Sequence, residues 1–253
     1  MNTLLIFAKE PVSGRVKTRL AADIGDAAAC HLYQAFLGDV AEHLAGLSGM
    51  AVTWWVDGGP RPVIAAAGHH WNPGWQVKRQ PPGSLGERLE AAFAYAFAAS
   101  SGPVGVVGSD CPHCDTGQLQ SLFTPLSDGA DAVLLPAEDG GYAGLAIRAP
   151  VPGIFRDIPW SSTGVASATL ERLRHSGRKV SVLPAVFDVD TASELKRLAR
   201  LLRDRPGLAT HTSAALAEMK ILEARCAPRC GMPSGGPSPW PLSPGGSWPW
   251  CPA

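Results

Sequence analysis

Short apolar runs of strand length alternate along this chain with amphipathic stretches of helical period. Residues 4–8, 52–56, 104–107, 132–135, 144–147 and 180–183 predict strands, with a short additional one around Val77. Their cores are nearly continuous Val, Leu, Ile and Ala, the pattern of strands covered on both faces. Between them, Leu32, Phe36, Val40 and Leu44 recur at steps of four and predict a helix over residues 27–47. Further helices are expected at 85–99, with Leu85, Leu89, Ala92, Phe93 and Ala96 as its apolar stripe, and at 116–126, 165–175 and from Ala192. Thr191 and Glu194 have the spacing of a capping box for the last of these. Residues 57–75 carry little periodicity and read as irregular, and a final helical stretch is expected from Pro206 to about Arg225. Strands alternating with helices imply an α/β fold with a mostly parallel central sheet and helices on both faces.

What interrupts the apolar runs is informative. The run ending at Val107 meets Gly108, Ser109 and Asp110, so a carboxylate stands at the C-terminal end of a buried strand, where open parallel sheets bind ligands. Asp110 is therefore a candidate metal-binding or catalytic group, with the capping of the next helix as the plain alternative. Two more acidic turns follow strands: Glu138 and Asp139 before Gly140 and Gly141, then Asp188 and Asp190, which share a face of extended chain. The first strand runs into a loop, residues 9–19, that holds Lys9, Arg15, Lys17 and Arg19 beside Gly14. Such a loop suits a phosphate cradle, although a solvated basic turn would look the same. It is not a Walker loop, because Val16 precedes the lysine. Carboxylates able to hold a divalent cation, facing a basic loop, define a site for a nucleoside di- or triphosphate with Mg²⁺ or Mn²⁺.

Composition narrows the partners. The 253 residues carry 22 basic and 22 acidic side chains, which gives no field to draw nucleic acid or a membrane surface. No apolar run spans a bilayer, and the first lacks the basic leader and cleavage site of a signal peptide, so a cytoplasmic protein is expected. Cys111 and Cys114 have CxxC spacing around His113, but no second pair follows, and they read as packing residues in reduced cytosol. The neighbours His69 and His70 are set aside as a metal site because adjacent side chains point apart. From residue 227 onward Pro, Gly, Ser and Trp dominate without periodicity, the composition of a disordered tail. The expected organisation is a nucleotide-binding domain over 1–205, a helix over 206–226 and the tail over 227–253, with a homodimer as one further expectation.

Six segments together carry a resemblance. They are Ile6 to Leu20 (with Lys9-Glu10-Pro11 and Gly14-Arg15-Val16-Lys17-Thr18-Arg19), Gly83-Ser84-Leu85-Gly86-Glu87-Arg88-Leu89, Gly108-Ser109-Asp110-Cys111-Pro112, Pro136 to Tyr142, Ile158-Pro159-Trp160-Ser161 and Asp188-Val189-Asp190-Thr191. In this order they resemble the selenodomain-associated transferases, also labelled arsenosugar-biosynthesis glycosyltransferases, of the GT-A nucleotide-diphosphosugar transferase superfamily. The resemblance runs from about residue 3 to 203 and implies a three-layer, Rossmann-like GT-A fold. It implies that Asp110, Asp188 and Asp190 hold the metal, and that Asp110, Asp139 and Lys17 act in catalysis. It puts Ala8, Lys9, Gly14, Arg15, Lys17, Arg19 and Ser109 on the nucleotide, with Gly83, Gly86, Glu87 and Arg88 near its base. Glu138, Gly140, Gly141, Tyr142, Trp160 and Ser161 would meet the rest of the substrate. Ser84 departs from the pattern, since such segments often carry Asp there. The implied activity is metal-assisted transfer of a sugar from a nucleotide-diphosphosugar to a small acceptor. The same superfamily also holds nucleotidyltransferases of the phospholactate guanylyltransferase and molybdenum-cofactor types, which would use an NTP. A nucleotide-binding module without turnover is a third reading, and three acidic turns weigh against it.

Overall fold

A computed structural model describes residues 1–219. Seven strands form one sheet in the order β3-β2-β1-β4-β6-β5-β7: β1 Asn2–Lys9, β2 Met50–Asp57, β3 Gln76–Arg79, β4 Val104–Gly108, β5 Ala132–Pro136, β6 Tyr142–Ile147 and β7 Val180–Val182. All neighbours pair in parallel except β6, which runs against both β4 and β5. The expected mixed α/β fold, with a mostly parallel sheet and helices around it, is what the chain adopts. The period-two alternation of β1 splits its side chains between two cores. Leu4, Ile6 and Ala8 enter one with Trp54, Phe36 and Leu37, whereas Leu5 enters the other with Trp55, Phe93 and Leu145. The first core lies under helices α1 Thr18–Ile24, α2 Asp26–Ala45, α3 Pro60–Ala67, α5 Thr116–Ser121, α8 Ala192–Asp204 and α9 Thr210–Glu218. The second lies under α4 Leu85–Ala99 and α7 Val165–His175.

The chain passes from β1 outward to β2 and β3, then returns to place β4 on the other flank of β1. That reversal leaves a crevice beyond the C-terminal ends of β1 and β4, where Lys9 and Gly108 stand.

Several elements differ from expectation for identifiable reasons. Helix α1 begins inside the stretch read as loop, so Arg19 sits on a helix. Helix α3 was hidden because it is short, opens on Pro60 and Pro62, and buries only Val63 and Ala67. The helix expected over 116–126 is two, α5 and α6 Thr124–Ser127. Pro125 lacks the N–H that continuity requires and restricts the residue before it. Leu85 is 44% exposed and leaves the apolar stripe of α4 for the crevice. The last helix starts at Thr210 and not Pro206, because Gly207 turns the chain at φ 90° and buried Asp39 accepts the N–H groups of His211 and Thr212. Asp188 and Asp190 lie in unpaired chain beyond an isolated bridge between Ala137 and Val186, not on a strand. The capping box of Thr191 and Glu194 on α8 forms as expected. The tail expected over 227–253 lies outside the described residues.

Candidate active site

Strand β1 delivers the basic loop to the crevice, and that loop turns sharply. Gly14 takes φ 77°, and Lys17, at the start of α1, takes φ 48°. A left-handed lysine costs about 1 kcal/mol or more and persists only where its surroundings fix it. Here they do. Its ammonium, with only 3% of the side chain exposed, pairs with Asp110 and with Asp190 Oδ1 at 2.9 Å. Burial by itself would lower the Lys17 pKa, but the two carboxylates outweigh it and hold it above the ordinary lysine range. Arg19 approaches the other oxygen of Asp190 at 3.6 Å. Beneath them Tyr33 Oη meets Ser109 Oγ at 2.9 Å and accepts the Lys9 N–H at 2.8 Å. Burial, with Asp110 nearby, pushes the Tyr33 hydroxyl up to about 12, so it stays a neutral hydrogen-bonding post.

The capping alternative for Asp110 does not hold. Asp115 caps α5, its side chain accepting the Gln118 N–H at 2.9 Å, which frees Asp110 for the crevice. Asp188 is half-buried, and its pKa is pushed up to about 6 by burial and by the charges of Asp139 and Asp190. Asp139 and Asp190 thus act on Asp188, while Asp110 and Asp190 share the Lys17 ammonium. Of the expected ligands Asp110, Asp188 and Asp190, the first and last meet on a cation they already hold, the Lys17 ammonium, and Asp188 stands close enough to feel the charge of Asp190.

Two adjoining cavities open here. The first, about 580 Å³, is lined by Ala8, Lys9, Lys17, Arg19, Gly83, Arg88, Ser109, Asp110 and Asp190. The second, about 640 Å³, is lined by Asp139, Gly141, Tyr142, Trp160 and Ser161. Phe7, Arg19, Leu85, Gly108 and Asp190 belong to both and form the partition. At the far end of the first cavity Gln80 donates to the carbonyls of Ala8 and Trp55 at 3.3 and 3.0 Å. Arg88 bonds Gln80 Oε1 at 3.2 Å and Asp57 at 3.0 Å. Asp57, Gln80, Tyr33, Thr18 and Phe7 were not singled out from sequence. Only their position at strand ends and on the cavity wall marks them.

Other expected residues stand elsewhere. Arg15 is exposed and lines neither cavity. Gly14 makes the turn that seats Lys17. Glu87 is spent on the capping box of α4, accepting the Ser84 N–H at 2.7 Å, which lowers its pKa. Glu138 faces away and is bound by Arg197, Nη2 to Oε1 at 2.8 Å. Gly86 and Gly140 are packing positions. A Cβ on Gly86 would meet the Phe155 carbonyl at 2.5 Å, and one on Gly140, whose φ is 91°, would meet the Thr163 carbonyl at 2.1 Å. Each lets one wall of the second cavity close on its neighbour.

The fold built on this sheet recurs among solved structures of transferases. A protein of Desulfovibrio desulfuricans with the inferred assignment of nucleotide-diphospho-sugar transferase is 31% identical, at a TM-score of 0.80 over 87% of this chain and 96% of its own. The 4-diphosphocytidyl-2C-methyl-D-erythritol synthase of Anaerococcus prevotii is 10% identical, at 0.54 over 80% of this chain and 96% of its own. A CMP:2-keto-3-deoxy-manno-octonic acid synthetase in complex with CTP is 15% identical, at 0.51 over 80% and 98%. At such identities the last two show the fold alone. No match was found among curated proteins. Fold and relatives together make the chain an enzyme of the transferase class. It belongs to the same family as the Desulfovibrio protein, and residues 40–162 match the family described as "uncharacterized protein conserved in bacteria (DUF2064)".

Proposed function

We propose that this transferase moves a sugar from a nucleotide-diphosphosugar to a small-molecule acceptor, as in the arsenosugar-type glycosyltransferases that its motifs resemble. The observation that carries this reading is the pair of cavities of similar size meeting at Asp190, Arg19 and Gly108. One wall is charged and ends in hydrogen-bonding groups, as a nucleotide requires. The other is aromatic and hydroxylic, as a sugar or polar acceptor requires. A divalent cation, Mg²⁺ or Mn²⁺, fits the acidic cluster. Burial and the charges of Asp139 and Asp190 push the Asp188 carboxyl up, a cost a cation would relieve, and the gap between Asp110 and Asp190 already accommodates the positive charge of Lys17. Asp110, Asp188 and Asp190 would hold the ion, and when bound it would offset charge on the leaving diphosphate.

In this reading Lys9, Lys17 and Arg19 hold the phosphates, and Gln80, Asp57 and Arg88 face the base. Ser109 and Tyr33 fix the floor. Tyr142, Trp160 and Ser161 hold the acceptor and keep water out. The acceptor oxygen forms a bond to the sugar's anomeric carbon while the bond from that carbon to the diphosphate oxygen breaks. Asp139 takes the hydroxyl proton, and the cationic side chains receive the diphosphate. Asp139 is placed for this by the Gly141 N–H, which donates to its Oδ1 at 2.8 Å and leaves Oδ2 for the acceptor.

The test is thermal stabilisation with Mn²⁺ across a panel of nucleotide sugars and NTPs, followed by mass spectrometry of products. A ligand at a hundred times its Kd adds about 2.7 kcal/mol, enough to rank the panel. Nucleotide sugars should rank above NTPs and yield a glycosylated product. The reverse ranking, with release of pyrophosphate, would establish nucleotidyl transfer instead.

A further inference from the structure

On the face away from the cavities, α9 lies along α2, and the 3₁₀ turn Gly68–His70 closes over both. Three side chains that sequence separates widely meet there: Glu42 of α2, His70 of the turn and His211 of α9. Each offers a ligand atom within 4.8 Å of the others. The rings of His70 and His211 stand 5.2 Å apart at 79°, edge to face, and the His69 ring lies 3.9 Å from that of His70, tilted by 40°. The two rings do not point apart as expected, but only His70 belongs to this group. In a 3₁₀ turn adjacent side chains need not diverge as they do on a strand.

We propose that Glu42, His70 and His211 form a binding site for a transition-metal ion of the zinc class, separate from the acidic cluster and serving to clip α9 onto α2. The donor set decides the class. Two imidazoles and one carboxylate with a fourth position open to water suit Zn²⁺, whereas Mg²⁺ and Mn²⁺ prefer the all-oxygen cluster at the sheet edge. Tetrahedral bonds of about 2.1 Å would draw the donors to about 3.4 Å, a closure that side-chain rotation supplies.

The groups around the donors are built to hold them. Thr210 Oγ1 donates to Glu42 Oε2 at 2.7 Å, which orients the carboxylate and leaves its other oxygen for the ion. Asp39 fixes the backbone that carries His211, accepting its N–H at 2.8 Å and that of Thr212 at 2.9 Å. Gly38 makes room for the ring itself, because a Cβ there would stand 2.8 Å from it. Such outer contacts are the usual companions of metal-bound imidazole.

The test uses the full chain stripped with EDTA. Calorimetric titration with Zn²⁺ should show one tight equivalent in the wild type and in Asp110→Asn. Affinity should fall at least tenfold in His70→Ala and in Glu42→Gln. Co²⁺ should give a tetrahedral visible absorption that His70→Ala loses, and Zn²⁺ should raise the melting temperature of the wild type but not of that variant. His70 sits on a partly exposed turn, so its removal leaves the apo fold intact, and equal apo melting temperatures verify this. Absence of Zn²⁺ binding, affinity unchanged in both His70→Ala and Glu42→Gln, or loss of binding in Asp110→Asn would each overturn the proposal.

Discussion

The two cavities differ as their supporting strands differ. The first sits at the ends of parallel strands β1 and β4, which arrive through long crossovers and deliver charged loops from distant segments. The second is bounded by β6, the one strand running the other way, which follows β5 through a tight turn. A short antiparallel connection cannot carry a long loop, so this wall is made of Tyr142 and the irregular 154–164 segment instead. The crossovers supply most of the charge, and Tyr142 with the 154–164 segment supplies the shape, the hairpin turn adding Asp139. This division is what a site needs when one ligand is anionic and the other is a polar alcohol.

The sharpest way to break the comparison is Asp110→Asn. If the charged side carries the chemistry, turnover should fall about a hundredfold or more, the scale for a preorganised charge at a reacting centre. The same change leaves the buried Lys17 ammonium with one carboxylate fewer, so the melting temperature should fall as well. Wild-type turnover in this variant would remove Asp110 from the reaction.

Behind the acids, His113 stacks 4.1 Å from Phe187, and its ring nitrogens meet no partner among the described residues. Burial, and then Arg197, lower its pKa from 6.5 to about 4. The unfolded chain therefore takes up the proton first. The stability that neutral His113 supports is complete above pH 6.5 and is lost as pH falls toward 4. His113→Phe should gain on the wild type by about 3 kcal/mol across that window, as measured by urea unfolding at each pH. A difference that does not change with pH would show that the ring is not held neutral.

On the aromatic side, Trp160→Ala should raise the acceptor KM roughly tenfold, the value of one lost aromatic contact, with nucleotide Kd unchanged by calorimetry. Equal loss on both ligands would merge the two cavities into one site. The smallest effect is expected at Ser84→Ala. It removes the α4 cap at a cost of about 1 kcal/mol in stability and leaves nucleotide affinity as it was.

The frame of the sheet was legible because buried parallel strands are short uninterrupted apolar runs, and helical periodicity marked α2 and α4. The single antiparallel strand was passed over although the brief 136–142 connection implied it. At the site, Asp110, Asp139 and Asp190 could be read because a carboxylate ending an apolar run is conspicuous. The inward turn of Lys17 could not be read. It depends on a left-handed backbone and on Asp190 from the other end of the chain. Arg15 and Glu138 have the same residue types as true wall residues, and only folding shows the first in solvent and the second on Arg197. The His70–His211 pairing was equally invisible, being made by the docking of α9.

The lysine between Asp110 and Asp190 has a consequence for the order in which ligands arrive. The acids carry their own counter-ion, so a cation binding alone must displace an ammonium, and a nucleotide binding alone must draw that ammonium from its carboxylates. Bound together, each ligand vacates the seat of the other. If both bind where proposed, metal and nucleotide are positively coupled, and the factor by which one tightens the other is the same in both directions. Lys17 then serves as the exchangeable latch that makes loading cooperative.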